Sequence, residues 1–234
     1  IMLQFQKGLS LKEFSTFAIG GPIHLFAEIS SVEEMKEAFV WAEKEKLPLL
    51  ILGKGSNCLF SDLGFEGLVL LNKIDFCRWE ENIVEAGAGY SFSLLGVQSA
   101  RKGLTGLEFA SGIPATVGGA VFMNAGANGQ ETSGCLDEVY FLHLDGKEEV
   151  FSKEKLHFAY RSSSFQKMRG AILSAKFSLL PSKEARERQL QIVSQRLKTQ
   201  PYREKSIGCI FRNPSSEMSA GKLIDQCGLK GSIV

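Results

Sequence analysis

A chain of 234 residues with 44% hydrophobic and 23% charged side chains is long enough for a sizeable buried core. Its net charge of +1 gives no bulk attraction to nucleic acid or to an acidic membrane surface, and no apolar run approaches the ~20 residues that span a bilayer. Five scattered cysteines without a C-x-x-C pair, three distant histidines and an N-terminus without a secretory leader pattern argue for a cytoplasmic protein with free thiols and no metal centre.

Residues 17–29 read as two short extended segments around Gly20-Gly21-Pro22. Ser31 then caps a helix, with Glu34 three residues on as a capping box. Val32, Met35, Phe39 and Ala42 repeat at helical spacing until Pro48. Leu49-Leu50-Ile51-Leu52 reads as a buried strand that runs into Gly53. Strands are expected at 83–90 and 137–144, a helix at 91–103, a glycine-rich irregular stretch at 104–129 and further strands over 148–180. A charged helix over 182–199 places Ala185, Leu190, Val193 and Leu197 on one side. The fold class is α+β, with a first subdomain over 1–72, a second over 73–200 and the start of a third over 201–234. The last is expected to be incomplete at Val234.

Two loops carry the chemistry. Gly53-Lys54-Gly55-Ser56-Asn57 follows an apolar strand, so its backbone N–H groups can form a nest around an anion, with Ser56 and Asn57 adding side-chain donors. It fits neither the Walker pattern nor the Rossmann fingerprint, and taken alone it is equally a simple turn. The second loop, Gly103 to Ala127, is poor in charge and rich in small residues. Its backbone can lie against a flat, bulky ligand. Gly118 and Gly119 are expected to offer N–H groups to a pyrophosphate, and Thr116 and Asn124 polar side chains.

The ordered set Ser15-Thr16-Phe17, Ile19-Gly20-Gly21, Leu52 to Asn57, Gly106-Leu107-Glu108-Phe109, Gly112-Ile113-Pro114 and Gly118-Gly119 resembles the UDP-N-acetylenolpyruvoylglucosamine reductase family. Tyr160-Arg161-Ser162-Ser163-Ser164-Phe165 is similar to its Y-R-x-S-x-F, and Gly208-Cys209-Ile210-Phe211-Arg212-Asn213-Pro214 to its G-S-x-F-[KR]-N-P. Ala220 to Gly231 is similar to its A-G-x-L-I-D-x-x-x-L-x-G. The resemblance runs from about residue 15 to the end of the chain. The short gap between Phe165 and the charged helix, and Lys222 where Trp is commoner, resemble the subclass with the shorter loop.

The resemblance implies an FAD-binding fold of the vanillyl-alcohol-oxidase type in two subdomains, with FAD held without a covalent bond. It implies Gly53, Lys54, Gly55, Ser56, Asn57, Ile113, Pro114, Thr116, Gly118, Gly119, Asn124, Gly126 and Ala127 at the cofactor. NADPH is the implied co-substrate, and the product, UDP-N-acetylmuramate, serves peptidoglycan synthesis. The implied partner is the small molecule UDP-N-acetylglucosamine enolpyruvate, with no nucleic acid and no membrane insertion, and the protein is expected to be a monomer. Arg161 is expected to stabilise the enolate formed when hydride reaches C3, because a guanidinium stays charged and can grip a carboxylate with two N–H groups. Cys209 stands where the family places Ser and is expected to protonate C2. A thiol is a far stronger acid than an alcohol, yet stays mostly protonated at pH 7. Tyr160, Arg212 and Asn213 are expected at the substrate. The family also uses a glutamate near its C-terminus, for which no residue here matches the motif. An inactive flavin-binding fragment, or another flavoprotein oxidoreductase of the same fold, are the alternatives.

Overall fold

The computed structural model describes residues 3–200, 204–215 and 218–232. In chain order the strands and helices begin with β1 (Ile23–Ile29), α1 (Val32–Lys44), β2 (Leu49–Leu52), β3 (Phe65–Asn72), β4 (Cys77–Glu80), β5 (Ile83–Gly87) and α2 (Phe92–Arg101). There follow β6 (Leu104–Thr105), α3 (Val117–Phe122), β7 (Gly126–Ala127), β8 (Gln130–Glu131), β9 (Leu136–His143) and β10 (Glu148–Ser152). The last are β11 (Phe158–Ala159), β12 (Ser162–Ser163), β13 (Gly170–Ser178), β14 (Leu180–Pro181), α4 (Ala185–Thr199) and α5 (Ala220–Gln226).

β1, β3 and β2 form a parallel sheet in that order, with β3 central. Both its faces are covered, and the side chains of the central strand divide by alternation. Leu68 and Leu70 of β3 face α1 and its buried Met35, Ala38, Phe39 and Ala42. Val69 and Leu71 face Leu11, Phe26 and Leu52 on the other side. α1 begins where Ser31 Oγ accepts the N–H of Glu34 at 3.1 Å. The return half of the capping box shifts by one residue, because Glu34 Oε2 accepts from Ser30 rather than Ser31. The helix ends at Lys44, and Lys46 turns into the left-handed region (φ 55°) before Pro48 is reached.

The second sheet is antiparallel, in the order β10-β9-β13-β5-β4. One face packs on α2 and α3 around Phe92, Phe109, Phe141, Phe165 and Phe177. Leu142, Ala171 and Leu173 point the other way, into the core shared with α1 and β3. A register irregularity between Ile172 and Ser174 shifts the alternation of β13, so that Ile172 before it and Ala175 and Phe177 after it face the same core. Asn72, at the end of β3, ties the sheets together: its Nδ2 donates to Ile172 O at 3.1 Å and its Oδ1 accepts from Ile74 N at 3.0 Å.

The α+β expectation agrees with this architecture, and several local expectations are corrected. The stretch 104–129 is not irregular throughout. It contains a 3-10 turn over Glu108–Gly112 and the helix α3. The two glycines that suggested a loop lie inside that helix, and Gly118 is there for packing: a Cβ on it would fall 2.9 Å from the Cβ of Ala88. β4 and the central β3 were not anticipated, and residues 17–19 form no strand. On α4 the inward positions are Ala185 and Gln189, whereas Leu190 and Leu197 are exposed. The helix is turned this way because Arg188 reaches Glu108, a carboxylate only 1% exposed. Glu108 also accepts from Thr105 Oγ1 at 2.6 Å and from Gly106 N at 2.8 Å. A buried carboxylate requires such partners, and they fix the 104–108 turn against α4.

Candidate active site

The two glycine loops meet. Gly53 leaves β2 directly opposite Thr116: a Cβ built on Gly53 would lie 2.4 Å from Thr116 Oγ1. Gly55 has φ +63°, and a Cβ there would lie 1.9 Å from the carbonyl oxygen of Phe14. At Gly55 only glycine fits without moving backbone, and at Gly53 any Cβ would displace the Thr116 hydroxyl. Among the described residues, the N–H groups of Lys54, Gly55 and Ser56 find no acceptor in the chain. Consecutive free amides on a glycine turn, facing a second small-residue segment, suit a diphosphate by donor number and by room for close approach. A cavity of about 280 Å³ opens beside them, lined by Glu13, Phe14, Ser15, Thr16, Gly53, Lys54, Leu71 and Lys73.

The second loop supplies fewer donors than its sequence suggests. Gly118 N–H donates to Ala88 O at 2.9 Å, and Gly119 N–H to Thr116 Oγ1 at 3.3 Å, where Thr116 is the N-cap of α3. Gly118 therefore has no N–H left for a phosphate, and Gly119 uses its own in the cap. The side chain of Asn124 is likewise committed. It is fully buried with φ 42°. Its Nδ2 donates to Glu131 Oε2 at 2.9 Å and to Ala159 O at 3.0 Å, and its Oδ1 accepts from Ser133 N at 3.0 Å. Asn124 thus holds the chain around α3 together and has no free group to offer a ligand. Pro114 and Gly119 are exposed, while Ile113, Thr116, Gly126 and Ala127 are half-buried.

The network around Asn124 delivers Tyr160 and Arg161. β11 and β12 form a tight antiparallel pair across them, and Arg161 sits in the left-handed region at φ 55°. Its Nη2 donates to Gly126 O at 2.6 Å and its Nη1 to Asn124 O at 3.5 Å, with the guanidinium 4.8 Å from the Tyr160 ring centre. Gln166 Nε2 donates to Arg161 O at 3.2 Å and to Phe122 O at 3.1 Å, and Ser163 Oγ donates to Phe122 O at 2.7 Å. Ser163 stands at the serine of the Y-R-x-S-x-F motif, whereas Gln166 lies outside every motif read from the sequence. Nothing in local spacing marks the partner of either, because their shared acceptor lies on α3, about forty residues away.

Cys209 lies on an exposed loop with Arg212. Asn213 Oδ1 accepts from Ala220 N at 3.1 Å and so joins that loop to α5. Among the described residues no hydrogen bond links Cys209 to Arg161. Three other thiols are poor proton donors, because burial pushes Cys58 and Cys77 up and Cys135 up to about 12. No group of three or more His, Cys, Asp or Glu side chains among the described residues could hold a metal ion, and no helix there is long and apolar enough to cross a membrane.

Residues 23–152 match the family model described as FAD binding domain, and residues 200–234 match that of the UDP-N-acetylenolpyruvoylglucosamine reductase C-terminal domain. The chain is 53% identical over 228 residues to UDP-N-acetylenolpyruvoylglucosamine reductase of Protochlamydia amoebophila, spanning 97% of this chain and 76% of that protein. It is 48% identical over 227 residues to the enzyme of the same name from Chlamydia muridarum, again spanning 97% of this chain and 76% of the relative. Among solved structures it is similar to UDP-N-acetylenolpyruvylglucosamine reductase from Thermus caldophilus. The TM-score is 0.85 at 36% identity, covering all of this chain and 83% of that one.

Proposed function

The chain belongs to the UDP-N-acetylenolpyruvoylglucosamine reductase family, and from that premise we propose that it reduces UDP-N-acetylglucosamine enolpyruvate to UDP-N-acetylmuramate through FAD, with NADPH as hydride source. The observation that carries the reading is the meeting of Gly53 with Thr116 beside the free amides of Lys54, Gly55 and Ser56. FAD fits those residues, and when bound it supplies a hydride relay from NADPH to C3 of the enolpyruvyl ether.

In this reading Gly53 to Asn57 hold the diphosphate, Gly53 and Gly55 by letting backbone approach and Ser56 and Asn57 by side-chain bonds. Ile113, Pro114, Thr116, Gly126 and Ala127 line the flat part of the cofactor. Asn124 and Gly118 serve the scaffold instead. Arg161 exchanges its carbonyl contacts for the substrate carboxylate and holds the charge that gathers there as C3 receives hydride. Cys209 transfers its Sγ proton to C2 and regains one from water. Tyr160, Arg212 and Asn213 orient the sugar nucleotide. The division 1–72, 73–200 and 201–234 assigns the parallel sheet and the antiparallel sheet to the cofactor and the last segment to the substrate. The protein acts as a cytoplasmic monomer in peptidoglycan precursor synthesis.

The test is anaerobic absorbance spectroscopy of the purified protein with FAD. NADPH is expected to bleach the flavin, and UDP-N-acetylglucosamine enolpyruvate to restore its colour with formation of one equivalent of UDP-N-acetylmuramate. A flavin reoxidised only by oxygen would favour a different oxidoreductase of the same fold.

A further inference from the structure

Thr16 belongs to the Ser15-Thr16-Phe17 motif and lines the cavity beside the 53–57 turn. It joins two distant parts of the chain. Its N–H donates to Gly55 O at 3.3 Å, its carbonyl accepts from Ser206 N at 3.1 Å, and its Oγ1 donates to Ser206 O at 2.7 Å. Gly208 N then donates to Ser206 Oγ at 3.1 Å, one residue before Cys209. Thr16 is thus the middle link between the dinucleotide loop and the Cys209 loop, and its hydroxyl closes a two-bond clasp on Ser206. The Cys209 loop is otherwise exposed, so this clasp fixes its start relative to the 53–57 turn.

We propose that Thr16 is a positioning residue that sets Cys209 relative to the flavin loop for protonation of C2. The inference rests on the proton-donor role of Cys209 given above. In the step concerned, hydride bonds to C3 and the enol-ether π pair moves onto C2 and its carboxylate. The Cys209 S–H bond then breaks, C2–H forms, and the thiolate regains its proton from water. A proton donor must sit within hydrogen-bond reach of its target, and a small misplacement costs rate without costing binding.

The test compares unsubstituted protein, Thr16→Val, Thr16→Ser and Cys209→Ala, each as the whole natural chain loaded with FAD. The main-chain links survive in Thr16→Val; only the Oγ1 bond is lost. Single-turnover formation of UDP-N-acetylmuramate is expected to slow about tenfold in Thr16→Val, with a larger solvent deuterium isotope effect. Flavin reduction by NADPH, measured with FAD saturating, should slow far less than product formation, and Thr16→Ser should restore the rate. Hydrogen exchange should show lost protection over 204–209 in Thr16→Val, whether or not substrate is present. Turnover in Thr16→Val that is undiminished, or slowed equally with flavin reduction, overturns the proposal. If instead Cys209→Ala turns over normally, the donor reading fails first and Thr16 loses its proposed target with it.

Discussion

Substituting Gly53→Ala is expected to weaken FAD binding about 100-fold, about 2.8 kcal/mol at a tenfold per 1.4 kcal/mol. The new methyl would sit 2.4 Å from Thr116 Oγ1, about 1 Å inside normal van der Waals contact. Gly53 follows the β2 strand and Thr116 Oγ1 is held as the cap of α3, so relieving the clash either breaks that cap bond or parts the two segments that form the cleft. The second substitution Thr116→Ala removes both Oγ1 and Cγ2, and the remaining contact, with the Cβ of residue 116, is an ordinary 3.5 Å. The double variant should therefore recover most of the lost affinity, although Thr116→Ala alone costs about 1 kcal/mol of cap energy. Isothermal titration with FAD measures both arms. Affinity in Gly53→Ala within twofold of the unsubstituted protein, or no recovery in the double variant, would show that the contact does not shape the cofactor site.

Arg161→Lys is expected to lower the rate of substrate reduction by about 10²–10³-fold while leaving flavin reduction by NADPH nearly unchanged. Lysine keeps the charge and carries the same Cβ, so the left-handed backbone at φ 55° is no more strained than before. What is lost is the planar fork, which in this structure spans the carbonyls of Gly126 and Asn124 and in the reaction would span a carboxylate. Stopped-flow measurement of the two half-reactions separates the effects. Equal slowing of both would mark Arg161 as part of the scaffold, and no slowing of either would remove it from the chemistry.

α1, α2 and β2 are readable in the sequence because their signals are local: a serine cap, an apolar repeat, a short apolar run closed by glycine. The same holds for the 53–57 loop, whose glycines are required by contacts with Phe14 and Thr116. The ordered motifs also identified the family. What sequence could not give was the fate of individual hydrogen-bonding groups. Gly118 loses its N–H to Ala88, and Asn124 spends its amide on Glu131, Ala159 and Ser133. These partners come from other elements, and only the fold brings them near. On α4, Leu190 and Leu197 suggested the buried face, but the ion pair from Arg188 to the buried Glu108 and the inward turn of Gln189 set the helix differently. The link from Thr16 to Ser206 crosses 190 residues, beyond the reach of any periodicity.

Titration of isotope-labelled protein with FAD, followed by backbone amide resonances, addresses the cleft itself. If Lys54, Gly55 and Ser56 donate to the diphosphate, their amide protons shift strongly downfield with the stoichiometry of flavin binding, and that of Gly118, held by Ala88, barely moves. FAD that binds tightly while the three amides stay where they were would contradict the assignment.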